Sequence, residues 1–146
     1  ETGDRQWRWL ESIIKTESDL IILMSYIQIL ATEHRFEKWN LFPKERKKLI
    51  DLMQSGDIPL LIISGDRHKG ALYKLGNIYE LTSSSLNKPI AISKLVNEND
   101  KLMIGKTYND ENYGVIEINT DQAKVSLSLK NKSGEIINTA SINIKN

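Results

Sequence analysis

Two short runs of large apolar residues dominate the hydrophobic pattern of the chain. They cover residues 20–24 and 60–63, and neither contains a polar side chain. Uninterrupted runs of this length are typical of strands that are buried on both faces of a parallel sheet. Each run follows a segment with helical periodicity, so the first half of the chain predicts a helix–strand–helix–strand unit of α/β type, with both strands central in the sheet.

The helices are predicted from apolar residues that recur on one stripe of a 3.6-residue period. The first begins near Asp4, which can cap it, and the second begins at Pro43, with Glu45 in its first turn. Gly56 is expected to end the second helix. The two apolar stripes consist of Trp7, Leu10 and Ile14 in the first helix and of Leu49, Ile50, Leu52 and Met53 in the second.

The second half of the chain has the alternating pattern of antiparallel strands. Residues 71–82 predict a hairpin around a turn at Gly76-Asn77, and residues 113–144 predict an antiparallel meander. The segment between them, 91–106, is weakly patterned and is expected to be a surface excursion with an exposed turn at 97–100. We therefore expect one layered module over residues 1–146, with an α/β half (1–70) and a mostly antiparallel half (71–146).

Composition narrows the functional classes. The 146 residues suit one domain, and 40% hydrophobic content fits a globular protein. The formal net charge of +1 indicates no basic face, so nucleic acid is not an expected partner. No apolar run is long enough to cross a membrane. Cysteine is absent, which excludes thiolate metal sites and disulfides.

The candidate chemistry follows directly after the second apolar run. Asp66 and His68 come after Gly65, which allows a sharp turn at the carboxyl end of a predicted strand. Ligands of open α/β sheets bind at this edge, and a carboxylate with an imidazole two residues later can reach one shared metal ion. The alternative interpretation is a turn aspartate beside a surface histidine.

The polar and aromatic segment after the first apolar run is predicted to be an ordered loop at the same sheet edge, and therefore a candidate rim of the site. Its candidate residues are Glu33, His34 and Trp39. His34 is either a catalytic group or a hydrogen-bonded loop histidine. Trp39, like Phe36, either borders the site or attaches the loop to the core.

A series of short landmarks runs in order along the chain. They are QWRWLE (6–11), LMSYIQ (23–28), EH (33–34), FEKW (36–39), FPKER (42–46), SGDRH (64–68), ELTSSSL (80–86) and NYGVI (112–116). Together they resemble the carboxy-terminal half of the alkaline phosphatase D (PhoD-like) family of calcineurin-like metallophosphoesterases. Tyr26 departs from that family, which more usually has a serine there.

The resemblance implies a layered β sandwich flanked by helices, with a metal centre at the carboxyl ends of the strands. It implies that Asp66 and His68 bind divalent or trivalent metal ions, with Ca, Mn or Fe as the expected elements. Arg67 would hold a phosphate oxygen or form a salt bridge. His34 would donate a proton to the leaving group.

The implied substrate is a phosphate ester. A monoester, a diester, a phospholipid and a teichoic-acid-like polymer all remain open. Glu33 and Trp39 would contact the substrate. The remaining metal ligands of such enzymes come from earlier motifs, and no segment of this chain has that form. We therefore expect part of a metal-dependent hydrolase, inactive alone and completed by an amino-terminal half. The resemblance and the residue usage further suggest an exported bacterial protein, periplasmic or extracellular.

Two other functions compete with the hydrolase. The chain can be a metal-free binding or structural module that retains half of the fold. It can also associate with itself through a sheet edge left open by missing strands. The length of the natural open reading frame separates the module from the hydrolase, and size-exclusion chromatography tests the self-association.

Overall fold

A computed structural model describes residues 2–91 and 98–144. The helices are α1 (Thr2–Ile14) and α2 (Pro43–Gln54), with a short 3-10 helix at Trp39–Leu41. The strands are β1 (Ile21–Ser25), β2 (Leu60–Ser64), β3 (Gly70–Leu75), β4 (Ile78–Ser83), β5 (Met103–Tyr108), β6 (Asn112–Asn119), β7 (Lys124–Asn131) and β8 (Ile136–Asn143).

The larger sheet has five strands in the order β1-β2-β4-β3-β5. β1, β2 and β4 are parallel, which confirms the predicted α/β unit, and β3 runs antiparallel to both of its neighbours. The β3–β4 hairpin turns at Gly76 and Asn77 as predicted, and Gly76 has a φ of 60°. Because left-handed backbone is readily accessible to glycine, this turn is formed at little steric cost.

Both helices pack on one face of this sheet. The apolar stripe of α2 buries Leu49, Ile50 and Met53 against β2 and β4 residues such as Ile62 and Ile78. Residues of a parallel strand alternate between the two faces, so the neighbouring Leu61 belongs to a second core on the opposite face. The apolar run of β2 is therefore uninterrupted because the strand contributes side chains to a core on each face of the sheet.

The second core lies between the five-stranded sheet and a three-stranded antiparallel sheet of order β6-β7-β8. The two sheets approach closely where glycine replaces a side chain. A Cβ atom on Gly70 would lie 2.5 Å from Leu129 Cδ1, and one on Gly114 would lie 2.8 Å from Leu81 Cδ2. The result is a layered β sandwich flanked by helices, which confirms the predicted fold class.

Four sequence predictions are wrong. α1 begins at Thr2, so Asp4 lies within its first turn and does not cap the helix. β1 is an edge strand of the sheet, and Ile22 and Met24 are exposed on one of its faces. The weakly patterned segment, of which residues 92–97 lie outside the described part of the chain, contains the start of β5, whose residues are all partly buried or exposed and show no clear alternation. Glu98 and Asp100, which were expected in an exposed turn, are buried because each satisfies hydrogen-bond donors of the interior.

Candidate functional site

The parallel strands β1 and β2 end in register at Ser25 and Ser64, so the loops that follow them meet at one edge of the sheet. Between these loops and the segment after β4 lies a cleft of about 460 Å³. Its lining residues are Phe36, Glu37, Asp66, Arg67, His68, Lys88, Pro89, Ile90 and Ala91. The cleft lies where ligands of open α/β sheets bind.

Asp66 and His68 both line this cleft and both are exposed, while Arg67 between them is buried. The backbone at Asp66 and at His68 has positive φ values of 64° and 53°. Residues other than glycine adopt this conformation rarely and at some cost, and such positions cluster at functional sites. The turn thus directs the carboxylate and the imidazole outward and the guanidinium inward.

Within residues 2–91 and 98–144, each of the two exposed side chains has one hydrogen-bond partner. The Tyr26 hydroxyl donates to Asp66 Oδ1 over 3.1 Å, and this carboxylate raises the pKa of Tyr26. His68 Nδ1 lies 2.8 Å from the carbonyl oxygen of Lys88. Because a carbonyl only accepts, Nδ1 carries the proton, and the lone pair of the neutral ring lies on Nε2.

This arrangement fits part of a metal site. Metal-binding histidines commonly donate one ring N–H to a carbonyl while the other nitrogen binds the ion, as His68 is set to do. Asp66 adds a hard oxygen donor beside it. In residues 2–91 and 98–144 no group of three or more His, Cys, Asp or Glu side chains is arranged to hold a metal ion. If the two residues bind a metal ion, they would supply only part of its ligand set.

Arg67 forms a buried ion pair. Its Nη2 donates to Glu98 Oε1 over 2.5 Å, and Lys69 contacts the same carboxylate oxygen. The guanidinium carbon lies 4.6 Å from the centre of the Phe36 ring. Burial lowers the pKa of Arg67, although Glu98 opposes this shift. Of the two roles that the sequence left open, the geometry provides the salt bridge, and the phosphate contact stays a prediction.

His34 is 4% exposed and does not line the cleft. Its Nε2 lies 2.8 Å from Gln28 Oε1, and its Nδ1 accepts the backbone N–H of Phe36 over 3.2 Å. Burial lowers the pKa of His34 to about 3, and the nearby Arg67 adds to the shift. The ring is therefore neutral and fully hydrogen-bonded at pH 7, and its role as a proton donor stays a prediction.

Glu33 and Trp39 also lie away from the cleft. Glu33 is exposed, and its backbone N–H donates to Asp100 Oδ2 over 3.3 Å. Trp39 packs against the helix-side core and borders a separate groove along α1. The structure thus brings Asp66, Arg67 and His68 to one cleft and places the other three candidates in or beside the loop that supports it.

A buried carboxylate in β4 holds the loop after β1. Glu80 accepts the backbone N–H groups of Ile29 and Leu30 at 3.0 and 2.6 Å and the Ser64 hydroxyl at 2.6 Å. Arg46 of α2 donates to the carbonyl oxygens of the same two loop residues. Burial raises the pKa of Glu80. An acidic residue inside a strand that is covered on both faces was the sequence signal for this group, because buried carboxylates require partners.

Comparison with known proteins supports the fold. No family model and no curated protein matches this sequence. Among solved structures, the chain is similar to GAP50, described as the anchor in the inner membrane complex of Plasmodium, with a TM-score of 0.76 and 20% identity. The similarity covers 98% of this chain and 43% of the GAP50 chain, so this chain spans less than half of that protein.

The resemblance to the alkaline phosphatase D family is wrong, since no family model supports it and the structural similarity is to GAP50. The landmarks that suggested it lie mainly at strand ends and in the loops after them, and therefore reflect the architecture. No helix in the described part of the chain is long and apolar enough to span a membrane. The chain shares the fold of the matching part of GAP50.

Proposed function

We propose that this chain supplies part of the active site of a metal-dependent phosphoric ester hydrolase. The observation that carries the proposal is the outward presentation of Asp66 and His68, in left-handed backbone, on one cleft at the carboxyl end of β2. An exposed carboxylate and a free imidazole Nε2 are suitable ligands for Ca, Mn or Fe ions. The metallophosphoesterase-like fold supports the same assignment by analogy.

The chain's own residues have distinct tasks in this proposal. Asp66 and His68 would hold the metal, with the Lys88 carbonyl orienting the imidazole and the Tyr26 hydroxyl orienting the carboxylate. Metal ions at such a site polarise phosphate oxygens and lower the pKa of a bound water. The buried Arg67–Glu98 pair holds the turn in place from below. The substrate class is a phosphate ester, and an exported location remains part of the proposal.

The remaining ligands are assigned to a segment outside this chain, because two donors do not complete a two-metal centre. We therefore expect negligible turnover of an aryl phosphate by the 146-residue chain alone. The decisive experiment uses the longer polypeptide that includes the flanking coding sequence. Its metal content and its turnover are measured for the natural sequence and for the Asp66→Asn and His68→Ala variants.

Both variants should lose bound metal and at least about 100-fold in turnover, because each removes a direct ligand. Asp51→Asn is the matched control, since Asp51 is an exposed carboxylate on α2, away from the cleft, that pairs with Lys47. Unchanged metal content in both site variants would refute the proposal.

The second candidate is a metal-free binding or structural module. It is favoured by the Tyr26–Asp66 hydrogen bond, which already gives the carboxylate a partner, and by the description of GAP50 as an anchor. A longer polypeptide that is folded but contains no stoichiometric metal would support this candidate against the hydrolase.

A further inference from the structure

The three-stranded layer of the sandwich does not extend over β1. Its edge strand β6 packs on β4, where Gly114 faces Leu81. The five-stranded sheet continues past β4 through β2 to β1. On the sandwich side of β1, Ile22 is 43% exposed and Met24 is 79% exposed.

The sequence of β1 is that of a strand covered on both faces, but the structure covers only one. Ile21 and Leu23 pack against the helix-side core, whereas Ile22 and Met24 point to the opposite face. Met24 is in register with Ile63 of β2, and Ile63 with Leu81 of β4. An apolar strip thus runs across three adjacent strands and is exposed at its outer end.

The facing edge of the second layer is also open. β6 is the first strand in the order β6-β7-β8, and its outer edge has one isolated bridge, between Asn112 and Ser85, in the described part of the chain. On its inner face, Ile116 borders a cleft of about 510 Å³ together with Ile63, and Ile118 is 51% exposed. We use the name open groove for the apolar surface formed by Ile22 and Met24 on β1, Ile63 on β2, and Ile116 and Ile118 on β6.

The dimensions of a β sandwich indicate what fits the open groove. Strands within a layer lie about 4.8 Å apart and packed layers about 10 Å apart. β6 lies over β4, so one added strand beside β6 would lie over β2 and a second over β1. An extended segment with alternating apolar residues would satisfy the β6 edge by hydrogen bonds and cover Met24 and Ile63 with its side chains.

We propose that strands from the remainder of a metallophosphoesterase-like domain, encoded next to this sequence, pair with β6 and fill the open groove. The similarity to GAP50 supports this occupant, because 98% of this chain matches only 43% of that one. An open strand edge beside exposed apolar side chains promotes aggregation, which is a reason for such a surface to be covered. The proposal shares the flanking segment with the proposed function, but it requires neither metal binding nor turnover, so a longer polypeptide without metal would leave it intact.

The absence of cysteine from the chain permits a direct test. Single thiols are introduced by Met24→Cys and Ile118→Cys in the open groove and by Ile136→Cys at the far strand β8, where Ile136 is 59% exposed. Each variant is made as the 146-residue chain and within the longer polypeptide that includes the flanking coding sequence. The rate of reaction with a maleimide is measured after circular dichroism has shown that the variant is folded.

We expect both groove thiols to react at least about tenfold more slowly in the longer polypeptide, while the Ile136→Cys thiol reacts equally in both forms, because burial within a sandwich limits access to local opening. Equal rates at Met24→Cys and Ile118→Cys in the two forms would overturn the proposal. Protection that arises in the 146-residue chain at high concentration would assign the groove to a second copy and also overturn it. The proposal would also be overturned if the flanking sequence coded for no further strands.

Discussion

The loops after β1 and β2 start side by side at the same sheet edge, but their polar residues act in opposite ways. The loop after β1 is held from below by buried groups, above all Glu80 and Asp100, which accept its backbone N–H groups. The loop after β2 presents Asp66 and His68 to solvent in left-handed backbone. The polar contacts of the loop after β1 stabilise the loop itself, whereas the loop after β2 presents donor atoms that can bind a ligand.

The comparison teaches that residue type alone does not indicate function at this edge. His34 and His68 are the two histidines of the chain, and the sequence offered both as site residues, His34 as a proton donor and His68 as a metal ligand. His34 has both ring nitrogens hydrogen-bonded within the protein, whereas His68 Nε2 has no hydrogen-bond partner among the described residues. Substitutions should therefore cost stability in the first loop and ligand binding in the second.

The largest effect on stability is expected for Glu80→Ala. It leaves the N–H groups of Ile29 and Leu30 buried without their acceptor and takes one of two partners from the Ser64 hydroxyl, so it should lower the free energy of unfolding by about 3 kcal/mol or more. Urea unfolding measures the loss. Glu80→Gln is the control, because it keeps an acceptor oxygen and should cost less; equal stability of the Ala variant and the natural sequence would contradict the structural role of this carboxylate.

The next largest effect is a pH dependence that arises from His34. Its folded pKa of about 3 is below the ordinary 6.5, so the unfolded chain binds the proton first and stability is lost as the pH falls below 6.5. The loss from this group should reach about 2 kcal/mol at pH 5. His34→Gln should remove this component, as measured by the difference in unfolding free energy between pH 7 and pH 5. An unchanged difference would show that the ring titrates normally.

A smaller effect is expected for Asp100→Asn. Asp100 Oδ2 accepts the Thr32 N–H over 2.6 Å, and Oδ1 accepts the Leu102 N–H over 3.0 Å. The amide keeps only one acceptor oxygen, so the variant should lose about 1 kcal/mol. Hydrogen exchange should speed up at Thr32 or at Leu102, but not at both. Protection that is unchanged at both amides would exclude the carboxylate as their anchor.

The smallest effect on stability is expected for Asp66→Asn. The side chain is exposed, and asparagine tolerates left-handed backbone and still accepts from the Tyr26 hydroxyl, so unfolding free energy should change by less than about 0.5 kcal/mol. A thermal unfolding scan checks this. A loss as large as that for Glu80→Ala would show that the two loops do not differ in the way described.

The sequence predicted the parts of the fold that depend on local pattern. The apolar run at 60–63, the helix from Pro43 and the turn at Gly76 all have short-range signals, and the structure places each where expected. The sharp turn that carries Asp66 and His68 could also be predicted, because a buried strand followed directly by a glycine and a carboxylate is a local sequence feature. These elements were enough to indicate the fold class.

Long-range contacts could not be predicted in the same way. The position of β1 at the edge depends on which strands are present, not on its own residues. Lys69, Glu98 and Asp100 look like surface residues in the sequence, and only their partners make burial tolerable. The family assignment was wrong because short landmarks report a common architecture more readily than a particular lineage.

The β3–β4 hairpin has a consequence for the order of folding. Its strands are joined by a tight turn, and β6, β7 and β8 follow one another along the chain, so both antiparallel units can form with little loss of chain entropy. β1 can pair with β2 only after the long loop and α2 have been enclosed between them. We expect β1 to be added last during folding and to detach first in partial unfolding.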